Sequence, residues 1–357
     1  MDKTKLMVIG GFLGAGKTTA MLKIAGALKT MGKSAGLITN DQTDFLVDTQ
    51  YLASEKYPVT ELTGSCFCCN YPGFAEKVGQ MKDFDVILAE PVGSCTDLVS
   101  TIMKPSKAGK AGDLEVLPLS VMVEPERLKN FMNNNTAAFS EGVYYIMDKQ
   151  LEEADFIVLN KIDLVDAQEK TTLVDFLKER YPKAKLCEIS AKDGDGLEAW
   201  LTAVMSADAG VANARKMTVD YDVYGNAEAE MGWLNAKVQV DRDADFDGGE
   251  MTKALAVKLR DAVAEEKGEI GHLKVYFDGG DEQVKLSCVA VDQPIVVDKD
   301  SRQPARSGEV TINLRAAVDP EKLKARTEQS LEALGIKNSS LRLEAFRPGF
   351  PNPTYRM

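Results

Sequence analysis

The chain has 357 residues and a mass of 38.9 kDa, more than one hydrophobic core usually serves, which excludes a small disulfide-stapled scaffold and predicts two domains. Hydrophobic residues at 44% and charged residues at 27% exclude a disordered chain. The 55 Asp and Glu outnumber 43 Lys and Arg, and a net charge of −12 gives nucleic acid no long-range attraction to the molecule. No run approaches the roughly 18 to 20 apolar residues of a membrane span, and glycines interrupt the first ten residues too soon for a secretory signal. These features, and three of six cysteines crowded between Cys66 and Cys69, predict a cytoplasmic, reducing location.

Short apolar runs recur at 5–10, 35–39, 86–89, 116–123, 156–159 and 185–189, with helix-like stretches at 18–30 and 171–180 between several of them. Their apolarity is continuous rather than alternating, which marks strands covered on both faces and predicts an α/β domain with a mostly parallel sheet over 1–208. The pattern then lapses into small and polar residues, and a linker is expected at 209–230. Beyond it, 231–357 reads as a smaller α+β domain, with strands at 232–240, 271–277, 284–291 and 310–316 and helices at 251–265 and 321–334. That order suits a ferredoxin-like sandwich with an added strand. The tail from 346 carries Pro348, Pro351 and Pro353 and cannot form helix or central strand.

The segment Gly11-Phe12-Leu13-Gly14-Ala15-Gly16-Lys17-Thr18 fits G-x-x-x-x-G-K-[ST] between a predicted strand and a predicted helix, so the first domain reads as a P-loop NTPase. The backbone N–H groups of Gly11, Gly14, Ala15 and Gly16 and the helix start at Thr18 and Thr19 suit a β-phosphate. Lys17 suits the β- and γ-phosphates, and the Thr18 hydroxyl suits Mg²⁺. Asn160-Lys161-Ile162-Asp163 closes an apolar run, beyond the carboxyl end of a strand, where ligands bind in open α/β folds. Asp163 can accept two hydrogen bonds from the guanine edge, Asn160 can tether neighbouring loops, and the Lys161 stem can cover the ring. Ser190-Ala191-Lys192 closes another run and completes a GTP and GDP site.

Asp85 to Glu90 is a buried strand ending in an acid, with Gly93 three residues on. Glu90 suits the water shell of Mg²⁺, and the Gly93 amide suits a hydrogen bond to the γ-phosphate that hydrolysis removes. In the loop after the second strand, Asn40, Asp41 and Asp48 are candidate switch residues, with Asp48 the preferred acid for orienting the attacking water. Cys66, Cys68 and Cys69 are spaced to share one soft or borderline ion such as Zn²⁺ or Co²⁺, with a redox dithiol as the alternative. Cys95, two residues past Gly93, has two readings, a thiol that approaches the cluster through the switch and, preferred, a buried structural cysteine. His272, the only histidine, alternates out of phase with Leu273, Val275 and Phe277 and reads as solvated.

Phosphate loop, E-x-x-G, N-K-x-D and C-x-C-C resemble the CobW-like family of metal-associated GTPases, the SIMIBI clade that includes the nickel-insertion GTPases. Gln150 to Asp155 is similar to that family's Q-x-x-x-A-D, and Gly232-Trp233-Leu234-Asn235-Ala236 opens a similar C-terminal domain. Ser65 stands where the family usually has glycine before its first cysteine, with Gly64 adjacent, and no histidine-rich segment is present. The resemblance implies a GTPase that hydrolyses GTP to GDP and phosphate and delivers a transition metal from Cys66, Cys68 and Cys69 to a client metalloprotein. By analogy it implies a GTP-dependent homodimer, while the acidic charge and the lack of a long apolar run predict no nucleic acid and no membrane partner. The alternative is a GTP-dependent chaperone or switch for a cobalamin- or corrinoid-dependent enzyme with structural or redox cysteines. A small-molecule kinase on the same loop would favour ATP and have no need of Asp163.

Overall fold

The structure, a computed structural model, describes residues 3–42, 45–207, 217–301, 303–337 and 340–357. The chain divides into two compact units, one of Met1–Gln42, Leu52–Tyr224 and Pro351–Met357, the other of Thr43–Tyr51 and Gly225–Phe350. The division is not sequential. A segment after the second strand belongs to the second unit, and the tail Pro351–Met357, assigned from sequence to the C-terminal domain, belongs to the first. Of the expected linker 209–230, residues 209–216 lie outside the described residues, and its end is helical.

The first unit runs β1 (Lys5–Gly11), α1 (Lys17–Thr30), β2 (Ala35–Asn40), α2 (Val47–Ser54, cut by the unit boundary), β3 (Val59–Leu62), α3 (Tyr71–Gln80) and β4 (Val86–Ala89). A π turn at Val99–Met103 leads into α4 (Lys104–Lys107), then β5 (Glu115–Val116), β6 (Ser120–Val123), α5 (Pro125–Met132), α6 (Glu141–Glu153), β7 (Phe156–Leu159), α7 (Ala167–Arg180), β8 (Lys185–Glu188) and α8 (Leu197–Met205). α9 (Tyr221–Ala229) spans the second boundary. The sheet order is β3-β2-β4-β1-β6-β7-β8, with β5 also on β1, and all pairs are parallel. All carboxyl ends therefore open at one edge, which collects the loops after β1, β2, β4, β7 and β8. The α/β expectation is met, because β1, β2, β4, β6 and β7 are apolar on both faces and are buried there. Among the described residues no helix is long and apolar enough to cross a membrane.

The second unit runs β9 (Gly232–Asp247), α10 (Gly248–Glu265), β10 (Ile270–Asp278), β11 (Gln283–Cys288), β12 (Val296–Asp300), β13 (Pro304–Ala316), α11 (Pro320–Ala333) and β14 (Arg342–Phe346). Its antiparallel sheet has the order β12-β11-β10-β13-β9-β14. Without β11 and β12 the order is β14-β9-β13-β10, with a helix after the first and third strands in sequence, which is the ferredoxin-like arrangement. The addition is thus a pair of strands on the β10 edge. β12 escaped the sequence reading because Val296-Val297-Asp298-Lys299-Asp300 is an exposed edge strand with little apolar content.

One face of this sheet is the core of the unit, where Leu234, Val238, Leu273, Phe277 and Ile312 are buried in one cluster with Leu255 and Leu259 of α10 and Leu323 of α11. The other face is polar and also covered. His272 is only 8% exposed, so the expectation of a solvated histidine is corrected: period-2 alternation identifies the second face of a strand, not whether that face meets water. Segment 45–51 forms part of this cover. Asn313 donates to the Phe45 carbonyl at 2.9 Å and accepts the Val47 N–H at 2.8 Å, and the Lys285 ammonium lies 4.0 Å from the Tyr51 ring centroid.

Candidate functional site

The loop after β1 turns into α1 through Gly16, whose φ of +88° lies in the left-handed region and whose added Cβ would stand 2.4 Å from Asn160 Nδ2. Lys17 is buried and folds back on the loop, donating from Nζ to the Gly11 carbonyl at 2.9 Å and the Phe12 carbonyl at 3.3 Å. Its ammonium is 3.6 Å from Glu90 Oε1, while Thr18 Oγ1 donates to Glu90 Oε2 at 2.8 Å. The ends of β1 and β4 thus bring together a hydroxyl, a carboxylate and an ammonium, buried at the start of a helix. Thr19 is half-buried in the same first turn. A hydroxyl and a carboxylate are the oxygen donors that a water-retaining Mg²⁺ takes from a protein, so the residues present fit that ion.

Gly93 follows on the β4 loop and packs on the phosphate loop, where a Cβ would come 2.7 Å from Leu13 Cδ2. Across the edge, Asn160 is buried, donates to the Ala15 carbonyl at 2.8 Å and accepts the Ala191 N–H at 2.9 Å. It therefore ties the phosphate loop to the segment Ser190-Ala191-Lys192. Lys161 takes φ +61°, an uncommon conformation for a residue with a side chain, and leads into a short 3₁₀ turn, Ile162–Leu164, on which Asp163 is exposed. Ser190 and Ala191 are buried, and Lys192 is exposed.

The thiol loop is held by a residue that sequence reasoning had placed in the switch. Asn40, at the end of β2, donates to the Leu62 carbonyl at 2.9 Å and the Ser65 carbonyl at 2.8 Å, and accepts the Phe67 N–H at 2.8 Å. Asp41 is buried and caps its own turn by accepting the Gln42 N–H at 2.7 Å. Gly64, at φ +78°, supplies the turn one residue before the position where the family has its glycine. Cys66 and Cys68 are buried with their sulfurs 3.0 Å apart; Cys69 is half-exposed, 3.8 Å from the Cys68 sulfur. Hydrogen bonds from Cys68, and then from Cys69 and Cys95, hold Cys66 well below the usual thiol value, while the bond to Cys66 pushes Cys68 well above it and Cys69 up to about 11. The cluster favours one thiolate shared among thiols.

The tail of the first unit crosses this loop. Thr354 donates its N–H to the Cys68 carbonyl at 2.8 Å and its hydroxyl to the Cys69 carbonyl at 2.9 Å, and the Asn352 N–H points to the Cys69 sulfur at 3.2 Å. The proline-rich stretch after Phe346 thus forms neither helix nor strand, as expected, and two of its N–H groups are used on the cysteine loop. Gln150 is equally local in effect: from α6 it donates to the carbonyls of Gly93 and Cys95, both at 2.9 Å.

Asp48 does not stand as a water-orienting acid. Its carboxylate accepts from Lys274 at 2.5 Å and lies 3.8 Å from Lys285, both on the antiparallel sheet of the second unit. A carboxylate neutralised by two ammonium groups is a poor base. For Cys95 the burial is as expected, and the geometry favours the less preferred reading, approach to the thiol cluster. It is buried, and its sulfur and those of Cys66 and Cys68 all lie within 4.8 Å of one another. Only its place two residues after Gly93 hinted at this, because the approach of two loops is a tertiary fact.

With this geometry the comparisons agree. Residues 5–188, more than half of the chain, match the family described as CobW/HypB/UreG, nucleotide-binding domain. The chain is 27% identical over 246 residues to the zinc chaperone CobW of a Sinorhizobium species, covering 60% of this chain and 66% of that one. It is 24% identical over 217 residues to zinc-regulated GTPase metalloprotein activator 1 of Dictyostelium discoideum, covering 52% and 45%. The chain therefore spans about half to two thirds of these curated relatives. The solved hydrogenase maturation factor HypB of Archaeoglobus fulgidus aligns at 20% identity over 57% of this chain and 89% of that one, with a TM-score of 0.41. Phosphate loop, guanine motif and family match converge: the chain belongs to the CobW/HypB/UreG family of SIMIBI-class, metal-associated P-loop GTPases.

Proposed function

We propose that the protein is a GTP-dependent metallochaperone, which binds GTP with Mg²⁺, hydrolyses it, and uses the nucleotide state to set the affinity of the thiol loop for a transition metal passed to a client protein. Thr18 and Glu90 would hold Mg²⁺, which when bound neutralises charge on the β- and γ-phosphates. Lys17 leaves the Gly11 and Phe12 carbonyls for phosphate oxygens, and the backbone of Gly14 to Thr19 cradles the β-phosphate. Asn160 fixes the distance between phosphate loop and base loop, Asp163 accepts the guanine edge, and the Lys161 stem covers the ring. The metal is cargo, with zinc and cobalt(II) both suited to thiolates. Kinship with zinc chaperones supports zinc.

The observation that carries this reading is that the thiol loop hangs from Asn40 at the end of β2, beside the β4 loop in which Glu90 meets Thr18 and Gly93 meets Leu13. A change at the γ-phosphate has a path of a few residues to the sulfurs. Zinc titration of the full chain with GDP and with a non-hydrolysable GTP analogue tests it. The expected result is a different affinity in the two states; equal affinities remove the coupling, since an indifferent ligand shifts no equilibrium.

A further inference from the structure

Resting on that reading, we propose that Cys95 is a ligand of the same metal, so that the ion is held jointly by the thiol loop and by the loop that carries Glu90 and Gly93. Three buried sulfurs from two separate loops, Cys66, Cys68 and Cys95, lie within 4.8 Å of one another. An ion with Zn–S bonds of about 2.3 Å in tetrahedral geometry spaces its sulfurs about 3.8 Å apart. The cluster reaches that spacing by side-chain adjustments of about an ångström, with no loop rebuilt. Cys69 lies outside that trio, half-exposed at the rim and 3.8 Å from Cys68, where the Asn352 N–H meets it, and on this proposal it moves in as the fourth sulfur.

The backbone behind Cys95 is fixed independently of its thiol. Gln150 holds the Gly93 and Cys95 carbonyls, the Cys95 N–H closes a turn on the Val92 carbonyl at 2.9 Å, and Thr96 donates to Glu153 at 3.2 Å. A side chain on so well anchored a turn needs no sulfur to stay in place, yet the residue there points a thiol at two others. The placement also shortens the coupling. With Cys66, Cys68 and Cys69 alone, the ion senses the β4 loop only through packing; with Cys95 it is bonded to a residue two positions from Gly93.

The test is made on the full chain with zinc and cobalt(II) as probes. X-ray absorption of the zinc-loaded wild-type protein is expected to count four sulfurs, and Cys95→Ser to lose one. Cobalt(II) titration of the variant is expected to give weaker thiolate charge-transfer absorption and an affinity at least about tenfold lower. Its difference between GDP and GTP-analogue states is expected to shrink. A Cys95→Ser variant with unchanged sulfur count and affinity, or a Cys69→Ser variant that falls to two sulfurs, overturns the assignment of Cys95 while leaving the carrier reading in place. Wild-type protein that takes up neither metal through sulfur overturns the carrier reading itself. If Cys95→Ser does not fold, Cys69→Ser decides the matter, since it keeps three sulfurs only where Cys95 is a ligand.

Discussion

Asp163 shows what one carboxylate contributes when its neighbours are fixed. The buried Asn160 sets the 160–163 segment against the phosphate loop, and the proposed function leaves the exposed acid to choose the base. A guanine edge offers it two donors; xanthine offers one fewer. Leaving a buried polar group without its partner costs about 1–3 kcal/mol, which is roughly tenfold to a hundredfold in affinity. Asp163→Asn is therefore expected to weaken GTP binding by that factor and to favour xanthosine triphosphate, measured by calorimetry with both nucleotides; an unchanged preference refutes the guanine assignment. The placement of Lys17, Thr18, Asn160 and Asp163 at the carboxyl edge of the sheet was legible because each stands at a fixed spacing from a strand end. The surroundings of Asp48 were not, and those of Cys95 only as a second choice, because their partners, Lys274 and Lys285 in one case and Cys66 and Cys68 in the other, are distant in sequence.

At the scale of elements, α6 and the C-terminal tail hold the β4 loop from two sides. Glu153 ends α6 fully buried, accepting the Val99 N–H at 3.0 Å and the Thr96 hydroxyl. Burial, assisted by the nearby Asp97 charge, raises its pKa from 4.5 to about 8 against the pull of the Val99 and Thr96 donors. The folded chain then carries a proton that the unfolded chain lacks between about pH 4.5 and 8, so stability falls as pH rises through that window and levels off above it. Glu153→Gln is expected to flatten this part of the Tm profile, since the Thr96 hydroxyl can turn and accept from the amide; a slope equal to wild type refutes the assignment. Asp97, fully buried at φ +60°, accepts from Arg356 at 2.8 Å and from the Tyr221 hydroxyl at 2.9 Å. Arg356→Ala is expected to cost about 2 kcal/mol in urea unfolding, less than the roughly 3–5 kcal/mol of a fully buried pair because the guanidinium is half-exposed. Strands were legible where apolarity was unbroken, as at Val86–Ala89 and Phe156–Leu159. The single run expected at 116–123 is two strands, Glu115–Val116 and Ser120–Val123, because Pro118 between them has no N–H to give to a ladder.

For the molecule as a whole, the second unit takes its own piece of the loop between β2 and β3. The chain leaves the first unit after Gln42 and rejoins it at Leu52, and the described part of the excursion, 45–51, is pinned by Asn313, Lys274 and Lys285. No local pattern announces this, because a sheet face bearing Asn235, Lys274, Lys285 and Asn313 reads as solvated until something lies on it. On the proposed function, nucleotide exchange at the end of β2 is expected to be felt along this segment. Asp48→Asn keeps the shape but removes the charge that two ammonium groups share, and it is expected to raise hydrogen exchange at the Val47 amide severalfold while leaving α1 protected. In the wild-type chain the same amide is expected to exchange at different rates with GDP and with a GTP analogue. Equal rates in both states would make 45–51 a fixed strap of the second unit, indifferent to the nucleotide.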